Sequence, residues 1–336
     1  MQAIQLRRYG GPEVLELVEL PTPTPAAGEV LVRVHTIGVG KPDVLVRTGV
    51  YPWSKTLPVV PGHEMAGNVV ALGEGVQNVA LGDPVLVIRA TGGGYAEYAA
   101  VPAAALTRLP ADMDVERAVG ALNYLAAWTM LHEVARLQRG QTLYLNGASG
   151  GVGTAIIQLA NLAGATVIAG ASSEAKCAFA RVRGAHHVID YSREDAVQRV
   201  REITSGQGVN LMLDQFVGPH FDRNVEMLAT FGQIMVYNQT GGVPEKNVMQ
   251  AMFAHVAKCP SLRVFSLHCY DDQPAKRREL LTHVIELLAS GKVESHVCQR
   301  MPLSEARAAH ELLDSGAVFG KLLLKPPSQP ISALVP

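Results

Sequence analysis

Charged side chains are the scarcest ingredient of this sequence. Asp, Glu, Lys and Arg make up 18% of 336 residues, against about 25% in an ordinary globular protein. The two signs nearly cancel, 29 Lys and Arg facing 30 Asp and Glu, which leaves neither a basic field for nucleic acid nor an acidic tail. Cysteine is also sparse. Cys177, Cys259, Cys269 and Cys298 are too few for a disulfide framework in a chain this long, and their gaps match no zinc ribbon. A reducing, cytoplasmic setting is the expectation, and the alternating N-terminal residues Met1–Arg8 carry no apolar stretch of the secretory kind.

The charge deficit has an address. No Asp, Glu, Lys or Arg occurs in the 34 residues from Gly140 to Ser173. Asn146, Ser149, Gln158, Asn161 and several glycines interrupt that run, and polar groups at such density are costly in lipid, so a membrane span is not expected. With 48% apolar residues the chain has ample material for a core, and its length suits two domains of roughly 150 residues or one large α/β unit.

The texture of the chain changes twice. Up to about Gly120, short β-branched runs (Glu29–Val34, Ala66–Leu72, Pro84–Ile88, Tyr95–Val101) alternate with Gly and Pro, a pattern that predicts a small antiparallel, barrel-like domain. Beyond Pro110 strands and helices alternate. Asp114 and Glu116 open a helix expected to reach about Arg136 with a break near Asn123. Strands are then predicted at Thr142–Asn146, Thr166–Ala169, His187–Asp190, Val209–Asp214, Gln233–Tyr237 and Leu262–His268. The helices between them are expected at Thr154–Ala163, Glu174–Val182, Arg193–Ile203, around Phe221–Leu228 and at Glu245–Val256. Six strands separated in this way predict a doubly wound parallel sheet. A helix Pro274–Ser290 follows, then strands Glu294–Cys298 and Lys321–Leu324 that rejoin the first domain, and a loose tail from Pro326 with four prolines.

The strongest local signal runs from Leu143 to Gly153, a strand entering a helix through Gly147, Ser149, Gly150, Gly151 and Gly153. Backbone N–H groups at such a helix start can bind a pyrophosphate. The glycines do not follow the standard GxGxxG spacing, and a generic glycine-rich turn is the competing reading. Where a carboxylate would meet the ribose of NAD, at the end of the next strand, the chain reads Ala169-Gly170-Ala171-Ser172-Ser173. Lys176 follows within a turn, and Tyr191 and Arg193 lie beyond the third strand. Hydroxyl and ammonium groups without a carboxylate favour NADP(H); simple solvation of Lys176 and Arg193 on their helices is the alternative.

Taken together, several stretches resemble the medium-chain dehydrogenase/reductase superfamily, and within it the zinc-independent, zeta-crystallin-like quinone oxidoreductases. They are Ile37–Pro52, Pro61–Gly67 (with Gly62-His63-Glu64), Gly82-Asp83, Gly93–Tyr98, the cofactor turn, Asp214–Gly218 and Phe319–Leu322, in family order along nearly the whole chain. The resemblance implies a Rossmann doubly wound sheet inserted in a GroES-like β-barrel catalytic domain. Residues 1–121 and 293–336 would form the catalytic domain and residues 122–292 the NADPH-binding domain, with the active site in the cleft between them. It further implies homodimers joined through strand Leu262–His268. Carried over residue by residue, Ser149, Gly150, Gly151 and Val152 belong to the pyrophosphate turn. Ser172, Lys176 and Tyr191 go to the 2′-phosphate, and Asn238 and Lys321 lie near the nicotinamide or its ribose. Tyr51 matches an active-site tyrosine, and Asp43 and His63 complete the catalytic candidates.

Zinc members of the superfamily hold their metal with Cys, His and Cys. Here the first position is Gly40 and the last falls near Asn123, so His63 alone remains, and one imidazole does not make a tetrahedral site. No metal is expected: His63 with Glu64 and Asp43 is the alternative donor set, and a histidine merely hydrogen-bonded in the cleft floor is the reading preferred to it. Without a metal, the accessible chemistry is hydride delivery from NADPH to an electron-poor acceptor. A quinone is the first expectation. An enal, enone or enoyl-thioester C=C bond is the second, and a non-catalytic NADPH-binding sensor the third. Gly40, Leu45 and Ala126 depart from the Asn, Tyr and Thr usual in quinone oxidoreductases, leaving a barer, more apolar face. Tyr51 is the candidate proton donor, with a rim aromatic as its alternative; Asp43 and Arg47 are expected to pair beneath the loop.

Overall fold

The computed structural model describes residues 1–53 and 56–327. The proline-rich end of the chain, expected to be loose, lies outside the described residues from position 328. Two compact units are present: Met1–Leu122 with the chain from Leu281 onward, and Asn123–Leu280.

In the first unit β1 (Gln2–Gln5) pairs antiparallel with β2 (Glu16–Glu19). The main sheet is built on β3 (Glu29–Val39), whose Val, Leu and Ile residues are all buried. It pairs antiparallel with β4 (Glu64–Leu72) and with β6 (Tyr98–Pro102), while β5 (Pro84–Ile88) bridges β4 to β7 (Leu106–Arg108). The short helix Lys41–Arg47 follows β3 directly, and Asp43 in its first turn accepts a hydrogen bond from the Gly40 N–H at 2.9 Å, satisfying a donor that the helix start leaves open.

The helix expected from Asp114 to Arg136 is broken earlier than Asn123. Asp114 caps a short helix, Val115–Ala118, by accepting from the Glu116 N–H. Gly120 then takes a φ of +111°, a conformation that side chains with a Cβ avoid, and a second helix runs from Ala121 to Trp128 before a π-helical stretch at Thr129–Val134.

The second unit carries β8 (Thr142–Asn146), β9 (Thr166–Ala171), β10 (His187–Asp190), β11 (Val209–Asp214), β12 (Leu228–Val236) and β13 (Ser261–Val264). All are parallel, in the order β10-β9-β8-β11-β12-β13. This is the doubly wound Rossmann arrangement, with its crossover reversal between β8 and β11. Strands β8, β9 and β11 are buried along almost their full length, which accounts for the missing charge: a parallel strand covered on both faces offers no solvated side.

Three boundaries shift for identifiable reasons. The helix expected from Arg193 begins at Ala196 because Asp195 caps it, accepting from the Val197 and Gln198 N–H groups. Asn247 similarly delays the next helix to Val248–Ala254. The strand expected at Leu262–His268 ends at Val264, because the Ser266 hydroxyl accepts from the His268 N–H and starts a 3₁₀ turn, Leu267–Tyr270.

Helix Pro274–Ala289 carries the chain back into the first unit. The return falls at Leu281, ahead of the residue 293 expected, because Leu281, Val284, Ile285 and Leu288 form a buried helical stripe and the Leu288 carbonyl accepts from Arg117 at 3.1 Å. Then β14 (Val297–Pro302) pairs parallel with β15 (Lys321–Lys325), and β15 pairs antiparallel with β3. The chain end thus completes the sheet begun near its start.

Candidate functional site

In the second unit β8 runs through Gly147 into the helix Gly151–Leu162, with Gly150 as its extended N-cap. The turn is backbone-packed. A Cβ on Gly153 would lie 2.5 Å from the Gly147 carbonyl oxygen, so only glycine lets the helix start sit this close to the strand end. Ser149 is buried, and no acidic residue occupies the first helical turn. The helix terminus therefore presents N–H groups at Gly151 and Val152 without a competing carboxylate of its own. The Gln215 amide packs over Gly147, a neighbour that sequence reading gave no reason to expect.

The end of β9 assembles the other donors. Lys176 donates from Nζ to the Ser172 hydroxyl at 3.1 Å, and Tyr191, whose pKa burial raises, lies beside the same turn. Pairing of β9 with β10 brings Tyr191 to this place, its N–H donating to the Ala171 carbonyl at 3.1 Å. Ser172, Lys176 and Tyr191 thus form one cluster of two hydroxyls and an ammonium, a donor set that suits a phosphate and fits the 2′-phosphate of NADPH. Arg193 does not join it; its Nε lies 3.9 Å from Asp190 and its side chain is solvated. Asn238 follows β12 and accepts from the Gln239 N–H through its own side chain.

At the reversal between β8 and β11, Asp214 is fully buried and Asn146 nearly so. Asn146 donates to Asp214 at 2.5 Å and accepts from the Gln215 N–H at 2.9 Å, while Asp214 also accepts from the Phe216 and Val217 N–H groups and from Asn224. This tie holds the carboxyl ends of the two strands, where doubly wound sheets place their ligands. Asn146 was missed as a site residue because its partner lies 68 positions away.

In the first unit the catalytic candidates come together. Asp43 Oδ1 accepts from the Gly62 N–H (3.2 Å), the His63 N–H (3.1 Å) and His63 Nδ1 (2.7 Å). Burial opposes its charge, yet the hydrogen bond and charge interaction with His63 and the Gly40 N–H hold its pKa below the ordinary carboxylate value. The Tyr51 ring stands edge-on to the His63 ring with centroids 4.8 Å apart, and Trp53 leans on Tyr51 at 5.3 Å. His63 Nε2 is buried with no hydrogen-bond partner.

Two pairings differ from expectation. Arg47 does not pair with Asp43; it bonds Asp314 at 2.6 Å and reaches His310 Nδ1 at 3.3 Å, because Asp43 is occupied by His63 and backbone donors. Glu64 does not join His63. Its Oε1 accepts from the Gly120 and Leu122 N–H groups, and its Oε2 lies 2.7 Å from Lys321 Nζ, both side chains being buried. Lys321 is thereby held in this unit by a buried ion pair that its position in the sequence did not suggest.

Comparison with known proteins agrees with this architecture. The Alcohol dehydrogenase GroES-like domain model matches residues 26–111 and the Zinc-binding dehydrogenase model residues 183–324. Quinone oxidoreductase 1 of Escherichia coli K12 is 31% identical over 329 residues, covering 96% of this chain and 99% of the relative. The Salmonella typhimurium quinone oxidoreductase is 32% identical over 326 residues, covering 96% and 99%. A crystal structure of the Escherichia coli quinone oxidoreductase complexed with NADPH superposes with a TM-score of 0.90 at 30% identity, covering 97% of this chain and all of that one. The fold and both clusters therefore define an oxidoreductase of the medium-chain dehydrogenase/reductase superfamily. Within it, the chain belongs to the quinone oxidoreductase family.

One family model is described as zinc-binding, and the residues here do not fit that metal. Gly40 supplies no ligand, His63 Nδ1 is committed to Asp43, and Glu64 is committed to Lys321 and backbone N–H groups. Among the described residues no group of three His, Cys, Asp or Glu side chains could hold a metal ion.

Proposed function

We propose that this oxidoreductase uses NADPH to reduce a quinone or a similarly electron-poor acceptor. The observation that carries the reading is the Ser172–Lys176–Tyr191 cluster at the end of β9, on a chain whose relatives at 31% and 32% identity are quinone oxidoreductases. Bound NADPH supplies the hydride. The protein's own residues hold the pyrophosphate at Ser149, Gly150, Gly151 and Val152 and neutralise the 2′-phosphate with Lys176, while Asn238 serves the nicotinamide end. A two-electron-reduced quinone is an oxyanion that needs a proton, and Tyr51 is the donor; His63, fixed by Asp43, orients its ring.

A panel of benzoquinones and naphthoquinones, assayed with NADPH and NADH in parallel, tests this. NADPH oxidation with at least one quinone, and a kcat/KM well above that with NADH, is expected; no turnover with any quinone would sink the reading. Enals, enones and enoyl thioesters belong on the same panel, because Tyr51 could equally protonate the enolate of a C=C reduction. If only these turn over, that is the function. Tight NADPH binding without turnover of any acceptor is the outcome that fits a sensor. Tyr51→Phe is expected to lower kcat about a hundredfold with the active acceptor, and an unchanged kcat would remove Tyr51 from the chemistry.

The assembly proposed is a homodimer through β13. This strand closes one side of the parallel sheet, and all four of its residues are exposed, Val264 at 78%, as an unpaired edge available for a second copy would be. A monomer mass in sedimentation would exclude it. Among the described residues no helix is long and apolar enough to cross a membrane. The four cysteines are free, which suits the reducing cytoplasmic setting proposed.

A further inference from the structure

Three rings in the first unit form a series from the interior to the surface. His63 is 4% exposed, Tyr51 7% and Trp53 44%. His63 meets Tyr51 edge-on with centroids 4.8 Å apart, and the Trp53 indole leans on Tyr51 at 5.3 Å with the two planes inclined by 57°. The turn that leads to the outer two is tied to the helix before it: the Gly49 N–H donates to the Val46 carbonyl, and the Val50 and Tyr51 N–H groups share the Leu45 carbonyl at 3.0 and 3.1 Å. Tyr9 lies on Gly49 in the same turn, where a Cβ would come within 2.7 Å of its ring. Val50 gives this turn a second exposed apolar side chain. Apolar side chains exposed singly need no reason. Trp53 is different because it touches the proposed proton donor, and nothing in the chemistry proposed above employs it.

We infer that the Trp53 indole is the platform on which the acceptor ring stacks, and that it selects flat, fused-ring quinones of the naphthoquinone class over single-ring quinones. This rests on the proposed reduction of a quinone with Tyr51 as proton donor. The chemistry of the two partners matches. A quinone ring is drained of electron density by its two carbonyls, whereas indole has the most electron-rich face among the aromatic side chains, so the two faces attract where two like rings would avoid a face-to-face stack. A fused second ring adds apolar surface for the indole to cover and leaves both carbonyls uncovered for a proton donor. With 5.3 Å between the Tyr51 and Trp53 centroids, a ring seated on the indole lies one ring away from Tyr51. An aliphatic enal or acyl chain brings no ring to stack. The stack is made alike before and during hydride transfer, so it acts on acceptor affinity and not on the chemical step.

The experiment measures acceptor binding to the NADP⁺-loaded full chain by calorimetry, where no hydride is available and affinity is read apart from turnover. The probes are 2,3-dimethyl-1,4-naphthoquinone and tetramethyl-1,4-benzoquinone, whose fully substituted quinone rings do not capture thiols, an advantage with Cys259, Cys269 and Cys298 exposed. The wild type is expected to bind the naphthoquinone about tenfold more tightly than the benzoquinone. Trp53→Leu is expected to weaken the naphthoquinone about tenfold and the benzoquinone by less, with Trp53→Phe in between and the Kd for NADPH unchanged in both variants. Equal affinity of the wild type for the two quinones, an unchanged naphthoquinone Kd in Trp53→Leu, or an equal loss for both quinones overturns the inference. Should Trp53→Leu lose NADPH binding and with it the fold, Trp53→Phe decides by the same comparison. In turnover with NADPH, Trp53→Leu should raise KM for the naphthoquinone in the same proportion at little-changed kcat; a fall in kcat at constant KM would also overturn the inference. The proposed function fails separately: if no quinone is reduced, that reading falls, while the dependence of naphthoquinone binding on Trp53 still decides the platform.

Discussion

The two units solve the placement of polar groups in opposite ways. In the second unit the groups assigned to the cofactor are backbone N–H groups at a helix start, two side chains that follow strand ends and one in the first turn of a helix, each positioned by its own local element. In the first unit the polar side chains lie in the core and hold one another: Asp43 with His63, Tyr95 with His310, Arg47 with His310, Glu64 with Lys321. A site made by local geometry tolerates change in its side chains. A buried network does not, because removing one member leaves its partner unsatisfied at low dielectric.

The largest effect expected from this contrast is a response to acid confined to the first unit. Burial, helped by Arg47 and opposed by Asp43 and Asp314, holds the His310 pKa at about 4 instead of 6.5. The unfolded chain therefore binds this proton before the folded one does. The stability contributed by neutral His310 is complete above pH 6.5 and is lost as the pH falls toward 4, about 3 kcal/mol in all. Urea midpoints measured across that window should fall more steeply for the wild type than for His310→Gln. Equal slopes would show that the buried histidine is not the source and would blunt the comparison between the units.

A smaller effect is expected in the second unit, without loss of stability. Lys176 is partly solvated and touches Ser172, so Lys176→Ala should leave thermal unfolding unchanged and raise KM for NADPH by about tenfold, with NADH little affected. A variant that weakened both cofactors equally would mean that Lys176 serves the turn rather than the 2′-phosphate. One that unfolded would erase the distinction drawn between local and networked sites.

How much of this was legible beforehand follows the same division. Strands Thr142–Asn146, His187–Asp190 and Val209–Asp214 and helix Glu174–Val182 have the bounds their residue patterns predict, because uninterrupted apolar runs and capping residues act within a few positions. The edge strand was read too long because the Ser266 cap was overlooked, and the break before Ala121 was placed at Asn123 because a helical pattern continues through Gly120. Tyr51, Asp43 and His63 were proposed through family motifs, whereas His310 and Asp314 carried no signal and Tyr95, inside the Gly93–Tyr98 stretch, none of its partner: the bond between Tyr95 and His310 spans 215 positions.

By itself, then, the sequence determined the parallel sheet, the glycine turn and the absence of a carboxylate at the end of β9, since each depends on side-chain period or on one residue's conformational range. Only the tertiary structure decided that Arg47 serves His310 and Asp314 instead of Asp43, and that Glu64 serves Lys321 instead of His63. The physical reason is that a buried charge takes the partner that the packing of distant strands and helices brings within about 3 Å, a distance with no counterpart in residue spacing.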